Sequence, residues 1–296
     1  MELGRISTAM VTPFSSTGAI DFEKTTALIE HLIANGTDSL VVCGTTGESP
    51  ALTSKEKEEL LIFTIETVNK RIPVIAGTGS NATAESIEST IMAERTGVDG
   101  IMLVTPYYNK PDQKGLYAHF STIAEKTSLP VLLYNIPGRS VINMTSETTI
   151  ALSKVKNIRA VKEASGDLEQ MATIIEGTDS EFKVYSGDDG LTLPLLAIGG
   201  HGVVSVASHI VGNEMQRMIT AFNEGRTKEA ACMHRALLPL FKELFTAPNP
   251  VPVKYGLQKY NIDTGGVRLP LIGYNEENKA FDKVWEKFKN NEHIFI

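Results

Sequence analysis

The sequence predicts an α/β protein: a closed parallel TIM or (β/α)8 barrel followed by a C-terminal all-helical extension. Three observations carry this. Eight short apolar runs recur at intervals of roughly 20 to 35 residues, close to the ~30 residues of a βαβ unit. Amphipathic helical patterns fill the gaps, and apolar strands alternating with such helices argue for a parallel sheet covered by helices. Near residue 208 the strand signal stops while helical patterning continues. An open doubly wound sheet stands second, because counting strands does not establish closure.

In chain order the runs are "RISTAMVTP" (5–13), "DSLVVCG" (38–44), "PVIAG" (73–77), "GIMLVTP" (100–106), "PVLLYN" (130–135), "IRAVKEAS" (158–165), "FKVYSGD" (182–188) and "HGVVSV" (201–206). Leu28, Ile29, Leu32 and Ile33 form a helical stripe that closes at Gly36, a C-terminal cap. Thr53 and Glu56 have capping-box spacing and open a helix carrying Leu60, Leu61, Ile65 and Val68. Ile87 and Ile91 mark the third helix, Leu116, Phe120 and Ile123 the fourth, and Leu168, Met171 and Ile175 the sixth. Beyond the barrel, "EMQRMITAFNEG", "EAACMHRALLPLFKELF" and "VPVKYGLQKYN" read as helices punctuated by Pro and Gly. The expected division is a barrel over 1–224 and an extension over 225–296, continuous with it.

Composition narrows the function. The formal net charge is −7 with no basic stripe, which excludes a nucleic-acid binder while leaving anionic metabolites open. Cys43 and Cys232 are far apart and lack zinc-ligand spacing, which fits a reducing compartment. The N-terminus lacks the basic stretch and apolar run of a signal peptide, and no apolar run approaches the ~18–20 residues of a membrane span. A cytoplasmic protein without membrane contact is expected. His31, His119, His201, His209, His234 and His293 form no pair with metal-ligand spacing, and several fall on helices where exposure is expected. Neither a metal nor a cofactor is expected.

In a (β/α)8 barrel the active site lies at the C-terminal ends of the strands. There the sequence places "GTTGES" (44–49), "TPYYN" (105–109), "YNIPGRS" (134–140), Lys162 and "SGDDG" (186–190). Alternation along the sixth strand puts Ile158, Ala160 and Lys162 on one face. A buried lysine has a lowered pKa and, when neutral, attacks a carbonyl to form a Schiff base. The bland alternative is a lysine that reaches the rim or pairs with Glu163 or Asp167. Tyr134 ends the neighbouring strand and could relay protons if a hydroxyl from Thr45, Thr46 or Tyr108 assists it; otherwise it is a core aromatic. "GTTGE" lacks a P-loop lysine, yet its N–H groups and threonine hydroxyls suit a small carboxylate. Arg139 is either a bidentate carboxylate holder or a surface arginine. "GTGSN" (77–81) reads only as a strand-to-helix turn.

Taken together, "GTTGES", "TPYYNKP", "YNIPGR", "VKEASGD", "SGDD" and "NPVPVK" resemble, in order and over essentially the whole chain, the dihydrodipicolinate synthase family. That family lies within the superfamily of N-acetylneuraminate lyase and the keto-deoxy sugar-acid aldolases. The resemblance implies condensation of pyruvate with L-aspartate 4-semialdehyde, the entry to diaminopimelate and lysine synthesis. It implies that Lys162 forms the pyruvate imine and that Tyr134 shuttles protons, linked through Thr45 to a Tyr108 reaching in from a neighbouring subunit. A homo-oligomer, dimer or tetramer, follows from that last point. It further implies that Thr46, Gly187 and Val204 line the pyruvate site and that Arg139 engages the semialdehyde carboxylate. Ser49, Asn81, Glu85 and Tyr107 match parts of the site through which lysine inhibits some members. Ser54 and Lys57 stand where sensitive members carry histidines, so weak or absent inhibition is expected. The competing readings are a sibling pyruvate-dependent class I aldolase acting on a sugar acid, against which Arg139 argues, and a catalytically silent keto-acid sensor. The silent barrel would need neither Lys162 nor Tyr134.

Overall fold

Each apolar run becomes one strand in the computed structural model, which describes residues 3–274 and 280–295. The strands are β1 (Ile6–Ala9), β2 (Ser39–Val42), β3 (Val74–Gly77), β4 (Gly100–Val104), β5 (Val131–Asn135), β6 (Ile158–Glu163), β7 (Lys183–Ser186) and β8 (Gly202–Ser205). They pair in sequence order, all parallel, and β8 returns to β1 through Ser7 opposite Val204. Closure decides for the barrel over the open sheet.

Helices α1 (Phe22–Ala34), α2 (Ser54–Val68), α3 (Thr83–Thr96) and α4 (Gln113–Ala124) follow the first four strands. The short α5 (Pro137–Ser140) and α6 (Ser146–Leu152) follow β5, while α7 (Leu168–Gly177), α8 (Thr192–Ala197) and α9 (Ser208–Asn223) follow β6 to β8. The extension holds α10 (Thr227–Glu243), α11 (Val251–Leu257) and α12 (Ala280–Asn290). The Thr53/Glu56 capping box is formed in both directions, and Gly36 follows α1 in the left-handed conformation. In α3 the inner face differs from expectation. Ser86, Thr90 and Ala93 are the buried residues, whereas Ile87 only packs from the side. The reason is polar: Ser86 Oγ accepts from Ser80 N, and Thr90 and Thr78 share a hydrogen bond, so this face closes the loop after β3.

Two apolar clusters result. Ala9, Val41, Ile75, Met102, Leu132, Ala160, Tyr185 and Val204 fill the barrel interior. The larger cluster lies between barrel and helices and includes Leu237 and Leu240 of α10 beside Met215 and Met218 of α9. Ile158 belongs to this outer cluster, which corrects its expected place on the face of Lys162. Pairing steps from Val131–Ile158 directly to Leu132–Ala160, a bulge that leaves Arg159 extra. Such an insertion interrupts the alternation of faces.

Candidate active site

Lys162 enters the barrel interior from β6 with only 6% of its surface exposed. It is the direct ladder partner of Tyr134, and its Nζ sits 4.1 Å above the centre of that ring. Burial lowers its pKa to about 8; the Asp189 carboxylate opposes the shift and the Arg139 guanidinium adds to it. Neither expected alternative partner reaches it. Glu163 faces away and accepts hydrogen bonds from Asn135, Ser165 and Gln170, and Asp167 caps α7. No carboxylate stands within ion-pairing distance of Nζ among the described residues. Gly187 lies against the lysine stem: a Cβ there would sit 3.0 Å from Lys162 Cε and 2.7 Å from Ala164 Cβ. Contacts that short leave no room for a side chain, so glycine is required for β7 to end here.

Tyr134 is buried, which pushes its phenol up to about 12, while Arg139 and a hydrogen bond with Thr45 pull it back. Val204 stands in the same interior cluster. Thr46, next to Thr45, is buried and accepts a hydrogen bond from the Asn249 amide at 2.9 Å. Glu48 in the same loop adopts a left-handed backbone conformation. It pairs with Lys254 at 2.8 Å, their side chains 1% and 4% exposed, and Lys254 Nζ also donates to Gly266 O. The backbone N–H of Arg268 donates to the other Glu48 oxygen. The "NPVPVK" segment and the residues after it therefore fasten the Gly44–Ser49 loop. Sequence reasoning left these residues without a role; the signals were an acid among small loop residues and a lysine inside the apolar "VPVKYG".

Asp189 was also missed as an individual residue, although "SGDD" was noticed. Its buried carboxylate accepts from Ser205 Oγ (2.5 Å) and from the N–H groups of Ala207 (3.0 Å) and Val206 (3.2 Å). Burial raises its pKa to about 6 against these bonds. His119, on the fourth helix where exposure was expected, is buried instead, and His209 is buried too, its ring spanning Val206 O and Val11 N–H. The His293 side chain lies outside the described residues.

A cavity of about 520 Å³ opens at these strand ends. Thr45, Tyr134 and Arg139 line it together with Ser49, Ser54, Lys57, Glu85 and Tyr107. Gly77 to Ser80 of "GTGSN" also line it, so this stretch is more than a turn. A Cβ on Gly77 would lie 2.5 Å from the Cys43 carbonyl, and that close approach seats β3 beside the Gly44–Ser49 loop. Arg139 is exposed on α5 and lines the cavity. Six expected members do not line this cavity: Lys162, Thr46, Gly187 and Val204, which are placed by the barrel-interior and loop contacts above, and Tyr108 and Asn81. Tyr108 is 87% exposed with φ +74° and does not line the cavity. Asn81 does not line it either; its carbonyl accepts from Asn109. Chemically, a poised amine, a phenol with a hydroxyl partner and a guanidinium at the mouth suit attack on a keto acid followed by addition to a second anion.

A family model described as Dihydrodipicolinate synthetase family matches residues 2–286. The chain belongs to this family. It is 61% identical over 279 residues to the 4-hydroxy-tetrahydrodipicolinate synthase of Bacillus velezensis, covering 94% of this chain and 96% of that protein. Among solved structures, the dihydrodipicolinate synthase of Bacillus anthracis superposes with a TM-score of 0.95 at 54% identity, covering 97% of this chain and 98% of that one. The Cyanidioschyzon merolae enzyme with lysine bound also gives 0.95, at 47% identity and the same coverage. Family members are Schiff-base-forming lyases, and the barrel with its interior lysine has the architecture that chemistry needs.

Proposed function

We propose that the chain condenses pyruvate with L-aspartate 4-semialdehyde, the reaction of the synthases it resembles, through a Schiff base on Lys162. The carrying observation is the Lys162 amine, buried, without an ion-pair partner among the described residues and lowered to about 8, held over the Tyr134 ring. The neutral amine attacks the pyruvate ketone and water leaves, giving an imine. Loss of a methyl proton turns the imine into an enamine, whose carbon adds to the aldehyde. Tyr134 carries protons to and from these intermediates, with Thr45 as its hydroxyl partner. Thr46, Gly187 and the backbone at Val204 hold pyruvate, and Arg139 at the mouth receives the semialdehyde carboxylate.

Tyr108 completes the relay from a second copy of the chain. Its exposure and its left-handed backbone support this, since such strain persists where surroundings impose it. The working form is then a homo-oligomer, a dimer at least, and cytoplasmic. Ser49, Glu85 and Tyr107 supply part of a lysine-binding lobe in the same cavity, with Asn81 at its edge. Lys57 on that lobe repels a cationic ligand, so inhibition by L-lysine is weak or absent.

Borohydride reduction with pyruvate, followed by peptide mapping, tests the central claim. A pyruvate-sized adduct on Lys162 is expected. Folded protein that acquires no adduct there would overturn it. Aldehyde acceptors compared on the same preparation separate the semialdehyde from sugar-acid aldehydes.

A further inference from the structure

At the ends of β5 and β6 each catalytic side chain is followed by a buried polar one. Tyr134 and Lys162 face the interior; Asn135 and Glu163 face outward, and both are 0% exposed. The ladder pairs Tyr134 with Lys162 and Asn135 with Glu163. The Asn135 amide nitrogen lies 3.0 and 3.1 Å from the two Glu163 oxygens, and Asn135 Oδ1 accepts from Met144 N–H. Glu163 also accepts from Ser165 N–H at 2.8 Å and from the Gln170 amide at 3.0 Å. A buried carboxylate without a cation is costly, and three donor groups converging on it mark a built arrangement. The reaction as derived above makes no use of it.

Its use follows from the bulge. Unbroken pairing from Val131–Ile158 would set Tyr134 opposite Val161 and Asn135 opposite Lys162. Paired residues of a parallel ladder share a face, so Lys162 would then point out of the barrel. The extra residue at Arg159 brings the lysine round, and a slip of one residue would undo this. The slipped register would also turn the Glu163 carboxylate inward, away from the Asn135 amide on β5. We propose that Asn135 and Glu163 are positioning residues, a register lock that holds the bulged pairing and thereby keeps the Lys162 amine above Tyr134. The proposal rests on the reading of Lys162 as the imine-forming residue.

The test measures pyruvate trapping rate, its pH midpoint, kcat and KM in the parent, Glu163→Gln, Asn135→Asp, the double variant and Gln170→Ala. Glu163→Gln sets amide against amide, and Asn135→Asp sets two carboxylates together. The double variant restores one hydrogen bond with its polarity reversed. Each single change at the pair is expected to lower trapping and kcat by roughly 10- to 100-fold, as misplacement of a reacting group does. Each also moves the pH midpoint up as Lys162 loses burial, and the double variant regains both to within about threefold of the parent. Gln170→Ala removes a half-buried donor outside the ladder pair and shifts both readouts in the same direction by less. Singles with the parent's trapping rate and pH midpoint and only a lower melting temperature would overturn the lock. So would a double variant no better than its singles, or an unaffected Gln170→Ala. A parent enzyme that traps no pyruvate at all would instead overturn the imine reading, and the lock's purpose with it.

Discussion

The amine of Lys162 offers a quantitative test in its pH dependence. With a pKa of about 8 it is neutral in about one molecule in ten at pH 7. An ordinary lysine is neutral in about one in three thousand, so burial supplies roughly a 300-fold advantage in nucleophile concentration. The rate of imine formation with pyruvate, followed by stopped flow from pH 6 to 10, should rise about tenfold per unit below pH 8 and level off above it. Two substitutions sharpen the test because their signs oppose. The Asp189 charge holds the pKa up and the Arg139 charge holds it down. Asp189→Asn should therefore move the midpoint to lower pH and Arg139→Gln to higher pH. A midpoint near that of free lysine, or two variants shifting the same way, would refute the electrostatic reasoning even if an adduct forms.

The same shift has a stability sign: between pH 8 and 10.5 the unfolded chain binds a proton that the folded chain does not. Stability contributed by this group therefore rises with pH across that window, and at pH 7 the fold carries a penalty of about 3 kcal/mol. Lys162→Met should raise the melting temperature by roughly 5 °C at pH 7 while abolishing trapping; an unchanged midpoint counts against it. Tyr134→Phe should lower kcat by about 10²- to 10⁴-fold with imine formation still detectable, and a loss below tenfold in kcat would remove the phenol from the relay. Lys254→Met strands the Glu48 carboxylate and should cost about 3–5 kcal/mol in urea unfolding, most of it recovered on adding Glu48→Gln. A single-variant loss under about 1 kcal/mol would show that the pair is not needed. His209, lowered by burial to about 4, contributes stability in full above pH 6.5 and loses it as pH falls toward 4, about 3 kcal/mol in all. The difference in urea midpoint between the parent and His209→Asn should shrink over that range, and a constant difference would falsify the assignment.

The barrel was legible because its signal is repeated eight times, and each apolar run contains one strand. The placement of Lys162 and Tyr134 side by side at strand ends was legible, because a barrel concentrates its polar residues there. The register was not legible. Alternation assigns Ile158 and Lys162 to one face, and only backbone pairing reveals the extra residue between them. Asp189 escaped for another reason. Its neighbour Asp188 sits in the same motif, and nothing local says which acid turns inward to Ser205 and which caps the following turn. The Glu48–Lys254 pair joins residues too distant for any periodicity to relate. His119 escaped because position on a helix does not by itself tell which face meets solvent, and in α4 it turns inward beside Phe120.

The clasp around Glu48 imposes an order of events during synthesis. The Gly44–Ser49 loop emerges early, yet the Arg268 N–H that caps Glu48 lies 220 residues later in the chain. At ~5–20 residues per second, roughly 10–40 s of translation separate the two. The eight strands are complete by Ser205, before Lys254 exists. All eight strands are therefore synthesised while the loop bearing Thr45 and Thr46 still holds a carboxylate without its cation. Completing the strands and supplying the residues that fasten the loop are thus two separate moments in the synthesis of the chain, the second falling in its final quarter.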